Sequence, residues 1–188
     1  MYRDLGKRIL DIIISTLAVT LTLPITLITA AAIFIEDGSP VFFRQKRVGK
    51  DGKEFVLIKF RSMKTYAKNL PSSMAKDMPL TRVGKIIRRL NIDELPQLIN
   101  VIKGEMSIVG PRPSLPSQFK LNEMRRENGS ISCKPGMTGL AQINAYDGMP
   151  EEEKARYDGE YYENLSFFLD IKIILRTFLY FLKPPPVY

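Results

Sequence analysis

The sequence predicts a mixed α/β (α+β) protein with a membrane-dipping, re-entrant N-terminal helix, a small antiparallel sheet and amphipathic interfacial helices. Three observations lead to this class: an apolar run of 27 residues, two short strand-like stretches joined by a Gly-containing turn, and several helix-period apolar stripes beyond them. We expect two regions, with residues 1–37 forming the membrane helix and residues 38–188 forming a domain that carries the interfacial helices.

The composition limits the chemistry that this chain can perform. Its 188 residues include 28 Lys and Arg against 20 Asp and Glu, a net charge of +8, which favours anionic partners such as nucleic acid, phosphorylated substrates or an acidic membrane surface. There is no histidine, which excludes Ser-His-Asp and Cys-His catalysis and every His-ligated metal site. The single cysteine, Cys133, excludes an internal disulfide and a Cys-only zinc cluster. Carboxylates, hydroxyls, cationic side chains and an oxygen-ligated metal ion remain.

The apolar run extends from Ile9 to Ile35 and carries one charge, Asp11. It is longer than the ~18–20 apolar residues that indicate membrane insertion and than the ~7–15 of a signal-peptide core. Pro24 leaves 15 residues before it and 11 after it. At ~1.5 Å per residue neither half crosses a hydrocarbon layer of ~30 Å. Both flanks carry a net charge of +2, so neither is favoured as the cytoplasmic side.

We therefore favour a broken helix that enters and leaves on one membrane face. The hydroxyls of Thr20 and Thr22 are close enough in sequence to satisfy carbonyls freed near Pro24. A kinked spanning helix and a helix buried in a soluble core are the alternatives.

Two stretches after the apolar run, residues 41–45 and 54–63, have strand character. Residues 49–52 form the turn between them. In the second strand, a period of two places Val56, Ile58 and Phe60 on one face. Lys59 and Arg61 share the opposite face, where a pair of cations is either solvated or positioned to meet phosphate.

The pattern of the remaining chain predicts helices separated by turns. Residues 65–80 form a polar loop, and Thr81 caps a helix. A second helix follows and ends at Gly104. The further expected segments are a stiff turn at 110–113, a helix from Pro116 to about Asn128, a loop at 134–139, a helix after Pro150 and a mostly apolar helix at 166–183 with cations Lys172, Arg176 and Lys183 on one side.

The candidate site lies between the first two of these helices. Asp93 and Glu94 precede Pro96, which places Asp93 at or next to the start of the second helix. Arg88 ends the preceding helix, and Arg112 lies between two prolines. Adjacent acids among arginines at a membrane surface indicate phosphoryl-group chemistry. The alternative is structural, since an Asp at a helix start is commonly a cap and a surface arginine commonly forms a solvated salt bridge.

The order of motifs resembles the bacterial sugar transferase family, the small monotopic phosphoglycosyl transferases. The matching stretches are Lys7–Asp11, Val41–Gln45, Arg47–Gly49, Phe55–Met63, Gly84–Arg88, Asp93–Val101, Gly104–Pro113 and Lys134–Gly139. They cover nearly the whole chain in the right order.

The resemblance implies a ping-pong reaction at the cytoplasmic face of the bacterial inner membrane. Asp93 would attack the β-phosphate of a UDP-sugar and expel UMP, and polyprenyl (undecaprenyl) phosphate would then accept the phosphosugar. Asp93 and Glu94 would hold Mg²⁺, and Glu94 alternatively assists the second attack. The implied substrate-binding residues are Lys59, Arg61, Arg88, Arg112, Gln142, Asn144 and Asp158.

The chain also departs from the family pattern. Gln142 and Asn144 fit it, but Ala145-Tyr146 stands where many members have Gly-Arg, which leaves the sugar open. Asp158 belongs to a D-x-x-Y-x-x-N pattern and is equally explained as a buried polar anchor. The implied partners are the UDP-sugar, the polyprenyl phosphate, membrane lipid and downstream glycosyltransferases. The alternative function is a non-catalytic membrane-bound scaffold for glycan-assembly enzymes, and no nucleic-acid motif accompanies the positive charge.

Overall fold

The computed structural model describes residues 2–64, 80–144 and 149–181. Residues 65–79 of the expected loop, the Ala145-Tyr146 departure and Lys183 lie outside these ranges. Within them the chain is a mixed α/β protein, as predicted, and its elements are α1 (Lys7–Asp37, after a π-helical turn Tyr2–Gly6), β1 (Phe42–Val48), β2 (Glu54–Phe60), α2 (Arg82–Arg89), α3 (Gln97–Lys103), β3 (Ser107–Val109), α4 (Phe119–Glu127), β4 (Gly136–Thr138), α5 (Leu140–Ile143), α6 (Glu151–Asn164) and α7 (Phe167–Phe181).

Helix α1 continues through Pro24, so the predicted break does not interrupt it. The hydroxyls of Thr20 and Thr22 donate to the carbonyls of Thr16 and Ala18, each four residues earlier, rather than to the carbonyl that Pro24 frees. In the described ranges α1 is the helix long and apolar enough to cross a membrane, and only 11% of its apolar window is buried. The alternative that the apolar run is buried in a soluble core is therefore wrong.

Both ends of α1 pack against the rest of the protein, whereas its middle is exposed. Near the N-terminal end, the Asp11 carboxylate accepts hydrogen bonds of 2.9 Å from the Ser107 hydroxyl and the Ile108 backbone N–H. Near the C-terminal end, Ile33 packs with Phe60 and Ile87. The large side chains between these contacts are exposed: Leu17, Leu21, Leu23, Ile25, Leu27 and Ile28.

Strands β1 and β2 form the predicted antiparallel pair, in a register from Phe42 opposite Phe60 to Val48 opposite Glu54. Both faces of β2 are covered in part. Leu57, which shares a face with Lys59, is 2% exposed and packs with Val101 and Met106, while Val56 is 44% exposed. Residues beyond the hairpin therefore cover the face that carries Lys59, which is not the freely solvated face of the first alternative.

Helices α2 and α3 form as predicted and position the site. The Thr81 hydroxyl accepts a 2.7 Å hydrogen bond from the Gly84 N–H at the start of α2. Gly104, with φ of 87°, ends α3. Helix α4 begins at Phe119, three residues after the expected Pro116.

A second, parallel pair of strands, β3 and β4, was not predicted. The pairing brings Gly110 so close to Gly136 that a Cβ at Gly110 would lie 2.3 Å from the Lys134 carbonyl oxygen. The loop expected at 134–139 is therefore partly a strand, β4, that needs glycine for this close approach.

Candidate active site

The acid pair lies in the connection between α2 and α3. Asn91, in the left-handed conformation with φ of 54°, is followed by a 3₁₀ turn at Ile92–Glu94. Pro96 directly precedes Gln97, the first residue of α3. Asp93 thus belongs to the connecting turn, a few residues before the helix next to which it was expected.

Glu94 is held by two cations at the same oxygen. Its Oε1 accepts hydrogen bonds from Lys59 Nζ at 2.7 Å and from Arg112 Nη2 at 3.2 Å. Burial alone would raise the pKa of Glu94, but the Arg112 and Lys59 charges outweigh it and lower that pKa to about 2. Glu94 is therefore ionised and fixed in place at neutral pH.

Asp93 differs from Glu94 both in its hydrogen bonds and in the direction of its pKa shift. No other side chain of the described residues donates a hydrogen bond to its carboxylate. Burial, with repulsion from Glu94, raises the pKa of Asp93 above its ordinary value, against the attraction of Lys59 and Arg88. The one hydrogen bond that bears on its pKa comes from its own backbone N–H. A carboxylate that is more basic than usual and is not held by another side chain is suited to act as a nucleophile.

The structure brings five of the predicted site residues together. Lys59 comes from β2, Arg88 from the end of α2, Arg112 from the Pro-flanked turn, and Asp93 and Glu94 from the α2–α3 connection. The Arg88 Nε donates to the Ser62 hydroxyl at 2.8 Å, which orients its guanidinium.

The other four predicted residues make structural contacts, two of them away from the acid pair and two near it. Arg61 is 7% exposed, donates to the carbonyls of Asp37 and Gly38 at 2.9 Å, and so caps the end of α1. The Asp158 carboxylate accepts two hydrogen bonds from the buried Arg125 guanidinium, at 2.9 and 2.7 Å, in agreement with the anchor alternative.

Gln142 and Asn144 bond to backbone near the cleft. The Gln142 amide donates to the Met137 carbonyl at 2.9 Å, and the Asn144 amide donates to the Leu140 carbonyl at 2.9 Å. Met137 borders the cleft described next, so Gln142 is hydrogen-bonded to a residue that lines this cleft.

A small cleft that is open to solvent lies against Glu94. Two of its polar lining residues, Arg47 and Gln97, were not predicted as site residues. Both occur within stretches that carry the family resemblance, but nothing in their spacing distinguishes them. The side chains that argue for an anion site are the cations Arg47, Lys59 and Arg112.

In the described ranges no group of three or more Asp, Glu, Cys or His side chains lies close enough to hold a metal ion. Among the described residues, the adjacent carboxylates at the cleft are those of Asp93 and Glu94. Magnesium is often bound by one or two carboxylates together with substrate phosphates, so this pair fits the ion only in that shared form.

Fold and site together define a membrane-associated α/β enzyme whose acid pair lies among cations that suit a phosphorylated substrate. A sequence model described as bacterial sugar transferase matches residues 2–184. The chain belongs to this bacterial sugar transferase family.

Individual relatives agree with the family. The chain is 42% identical over 174 residues to a protein named uncharacterized sugar transferase EpsL of Bacillus subtilis, covering 91% of this chain and 84% of the relative. It is 42% identical to the UDP-glucose:undecaprenyl-phosphate glucose-1-phosphate transferase of Klebsiella pneumoniae (91% and 39% covered). It is 39% identical to the UDP-N-acetylgalactosamine-undecaprenyl-phosphate N-acetylgalactosaminephosphotransferase of Aeromonas hydrophila (91% and 42% covered). The chain thus spans about two fifths of the last two.

Proposed function

We propose that this protein transfers a sugar 1-phosphate from a UDP-sugar to undecaprenyl phosphate through a covalent intermediate on Asp93, with release of UMP. The observation that carries the proposal is the contrast within the acid pair. Glu94 is neutralised by Lys59 and Arg112, whereas Asp93 accepts no hydrogen bond from another described side chain and has a raised pKa. The relatives named as undecaprenyl-phosphate transferases of UDP-linked sugars support the substrates.

In the first step an oxygen of the Asp93 carboxylate attacks the β-phosphorus, which bears the sugar. The bond from that phosphorus to the bridging oxygen breaks, and UMP leaves with the bridging oxygen and the electron pair. Lys59, Arg88 and Arg112 stabilise the negative charge on the phosphate oxygens, which is the role that preformed cations serve in phosphoryl transfer.

In the second step an oxygen of undecaprenyl phosphate attacks the same phosphorus. The bond between phosphorus and the Asp93 oxygen breaks, which restores the carboxylate and gives the undecaprenyl diphosphate sugar. Each half-reaction is a single displacement at phosphorus and needs no co-reactant.

A magnesium ion is part of the proposal, with Asp93 and Glu94 as its protein ligands. When bound it would neutralise charge on the diphosphate. The two cation contacts of Glu94 are both made at Oε1, and Asp93 is not hydrogen-bonded to another described side chain, so the pair has oxygens to offer.

We also propose that α1 is re-entrant and that the domain lies on the cytoplasmic face of the inner membrane. Contacts at both ends of α1 with the domain, together with the exposed apolar middle, support a helix that returns to the face from which it entered. A polyprenyl phosphate acceptor would then meet the site at the membrane surface.

The test replaces Asp93 by Asn, which keeps the size of the side chain and removes the anionic nucleophile. We expect Asp93→Asn to lower UMP release, with Mg²⁺ and undecaprenyl phosphate present, by at least about 10³-fold. Wild-type protein mixed with donor alone is expected to gain the mass of a sugar phosphate at Asp93. Asp51→Asn, in the β1–β2 turn, is the matched control and should retain full turnover.

Normal turnover by Asp93→Asn would refute the nucleophile. A wild-type protein that releases no UMP from any member of a broad panel of UDP-sugars would instead favour the scaffold alternative. Screening that panel also identifies the sugar.

A further inference from the structure

Two amides on α3 differ in a way that burial does not explain. Asn100 is fully buried, and its amide makes three hydrogen bonds: it accepts from the Ile58 N–H at 3.2 Å and donates to the Val56 carbonyl at 2.8 Å and to Glu105 at 2.6 Å. Gln97, one turn earlier, is only 3% exposed, yet its amide has no hydrogen-bond partner among the described residues. Buried amides are nearly always hydrogen-bonded, so Gln97 needs an explanation.

The surroundings of Gln97 supply one. Its side chain borders the same cleft as Lys59, Glu94 and Arg112. The Gln142 side-chain oxygen is a contrasting case, because it also has no hydrogen-bond partner but is completely enclosed by protein. The Gln97 amide instead faces the space in which we place the donor.

The chemistry of a carboxamide differs from that of its neighbours. The cations of the cleft bind phosphate charge and do not distinguish one phosphate ester from another. A carboxamide is neutral and both donates and accepts, so it pairs with hydroxyl, imide or amide groups. A site built to hydrogen-bond such a group discriminates strongly against ligands that lack it.

We propose that Gln97 is a specificity-determining residue that hydrogen-bonds a neutral polar group of the nucleotide-sugar donor. The inference depends on the proposed function for the identity of that donor. The neutral group belongs either to the uridine or to the transferred sugar, and the experiment separates these two sources.

The experiment compares Gln97→Met, which keeps the volume and removes both hydrogen-bonding groups, with Gln97→Glu, which keeps the shape and one kind of partner. Steady-state kcat/KM for the UDP-sugar is measured, together with direct binding of UMP and of inorganic pyrophosphate. Gln118→Met is the matched control, because Gln118 lies outside the cleft although its amide makes hydrogen bonds to the Leu115 N–H and to Glu151.

We expect Gln97→Met to lower kcat/KM by at least about tenfold, as one lost hydrogen bond in a binding site does, with pyrophosphate binding and melting temperature unchanged. If Gln97 contacts uridine, UMP binding weakens by a similar factor. If it contacts the sugar, UMP binding stays as in the wild type and only kcat/KM for the donor falls.

Unchanged kcat/KM and UMP binding in Gln97→Met would overturn the proposal. So would parallel losses of melting temperature, pyrophosphate binding and activity in both Gln97 variants, since these indicate a structural role. Failure of the proposed function is distinguishable, because the wild type itself would then release no UMP. Direct binding of the UDP-sugars to wild type and Gln97→Met would still decide the role of Gln97.

Discussion

At the scale of single residues, the site separates two adjacent carboxylates by their environments. Two cations at Glu94 Oε1 lower the pKa of that residue, while burial and the charge of Glu94 raise the pKa of Asp93. Carboxyl pairs whose pKa values are shifted in opposite directions commonly have different roles. The fixed charge of Glu94 orients Lys59 and Arg112, and Asp93 is left available for chemistry.

The contacts of Arg47 lead us to expect that it positions Arg112. Its Nη1 donates to the Pro113 carbonyl at 3.0 Å, immediately after Arg112, and its Nη2 donates to Gln45 at 2.6 Å. Burial, together with repulsion from Arg112, lowers the pKa of Arg47. Two like charges are therefore held close together, an arrangement that a bound anion between them would stabilise.

We predict that Arg47→Lys lowers kcat/KM for the donor by about 10- to 100-fold. An ammonium cannot make the hydrogen bonds to Pro113 and Gln45 at the same time, so we expect Arg112 to shift. The loss should fall mainly on KM, since donor binding is the role proposed for Arg112. Steady-state kinetics of UMP release measure it. Arg44→Met, which removes an exposed cation of the same strand, should change kcat/KM by less than about twofold, and wild-type kinetics in Arg47→Lys would contradict the positioning role.

At the scale of elements, local rules in the sequence predicted most boundaries. The Thr81 cap, the Gly104 stop, the turn after β1 and the helix behind Pro150 all depend on neighbours within a few residues. Such features are encoded where they occur, so a single sequence suffices to predict them.

The elements that the sequence did not reveal depend on distant partners. β3 and β4 are three residues each and pair in parallel across an intervening helix, so no periodicity marks them. The face of β2 likewise depends on what covers it, and Leu57 is buried only because Val101 and Met106 lie against it.

The same distinction applies to the site. Asp93, Glu94 and Arg88 were predictable because they are close in sequence and conspicuous in type. Lys59 and Arg61, only two residues apart, separate in the structure: β2 ends at Phe60, and Arg61 turns to the end of α1. The roles proposed for Gln97 and Arg47 depend on the cleft that both residues line, which only the fold brings together.

The junction of α1 with α7 is the element-scale feature that most depends on charge. The Asp170 carboxylate is fully buried and accepts hydrogen bonds from Lys7 Nζ at 2.6 Å, from the Tyr2 hydroxyl at 2.6 Å and from the Tyr161 hydroxyl at 2.7 Å. It therefore ties the start of the membrane helix to α6 and α7.

We predict that Asp170→Asn destabilises the protein by about 3–5 kcal/mol, because it removes the charged partner to which the buried Lys7 ammonium is hydrogen-bonded. For a chain of this size the melting temperature should fall by roughly 10 °C, which circular dichroism of the protein in detergent measures. Lys46→Met, which breaks the exposed Lys46–Glu54 pair, is the control and should leave the melting temperature nearly unchanged. An unaltered melting temperature in Asp170→Asn would show that the junction does not depend on the ion pair.

At the scale of the whole molecule, large apolar side chains are exposed on several helices besides α1. They are Ile86 on α2 and Leu90 directly after it, Ile99 and Ile102 on α3, and Phe168, Leu175, Phe178 and Leu179 on α7. Exposed cations accompany them, among them Lys172 and Arg176 on α7. Helices with apolar side chains beside Lys and Arg are typical of the interface between headgroups and acyl chains. An enzyme that takes an acceptor from the bilayer benefits from such contact, because it brings the site to the level of the lipid phosphate.

The last prediction concerns this seating on the membrane. A polarity-sensitive fluorophore is attached at Phe178→Cys or Leu90→Cys, and its emission is compared between nanodiscs of zwitterionic lipid and liposomes that contain anionic lipid. We expect the emission to shift to the blue in the anionic liposomes, because apolar contact and attraction of the cations to the lipid act together there. The same label at Glu123→Cys, on the exposed and charged surface of α4 beside Arg126, should keep an aqueous emission in both. Cys133→Ser in every variant removes the native thiol. Aqueous emission from Phe178 and Leu90 in anionic liposomes would mean that only α1 contacts the membrane, and that the acceptor must rise out of the bilayer to reach Asp93.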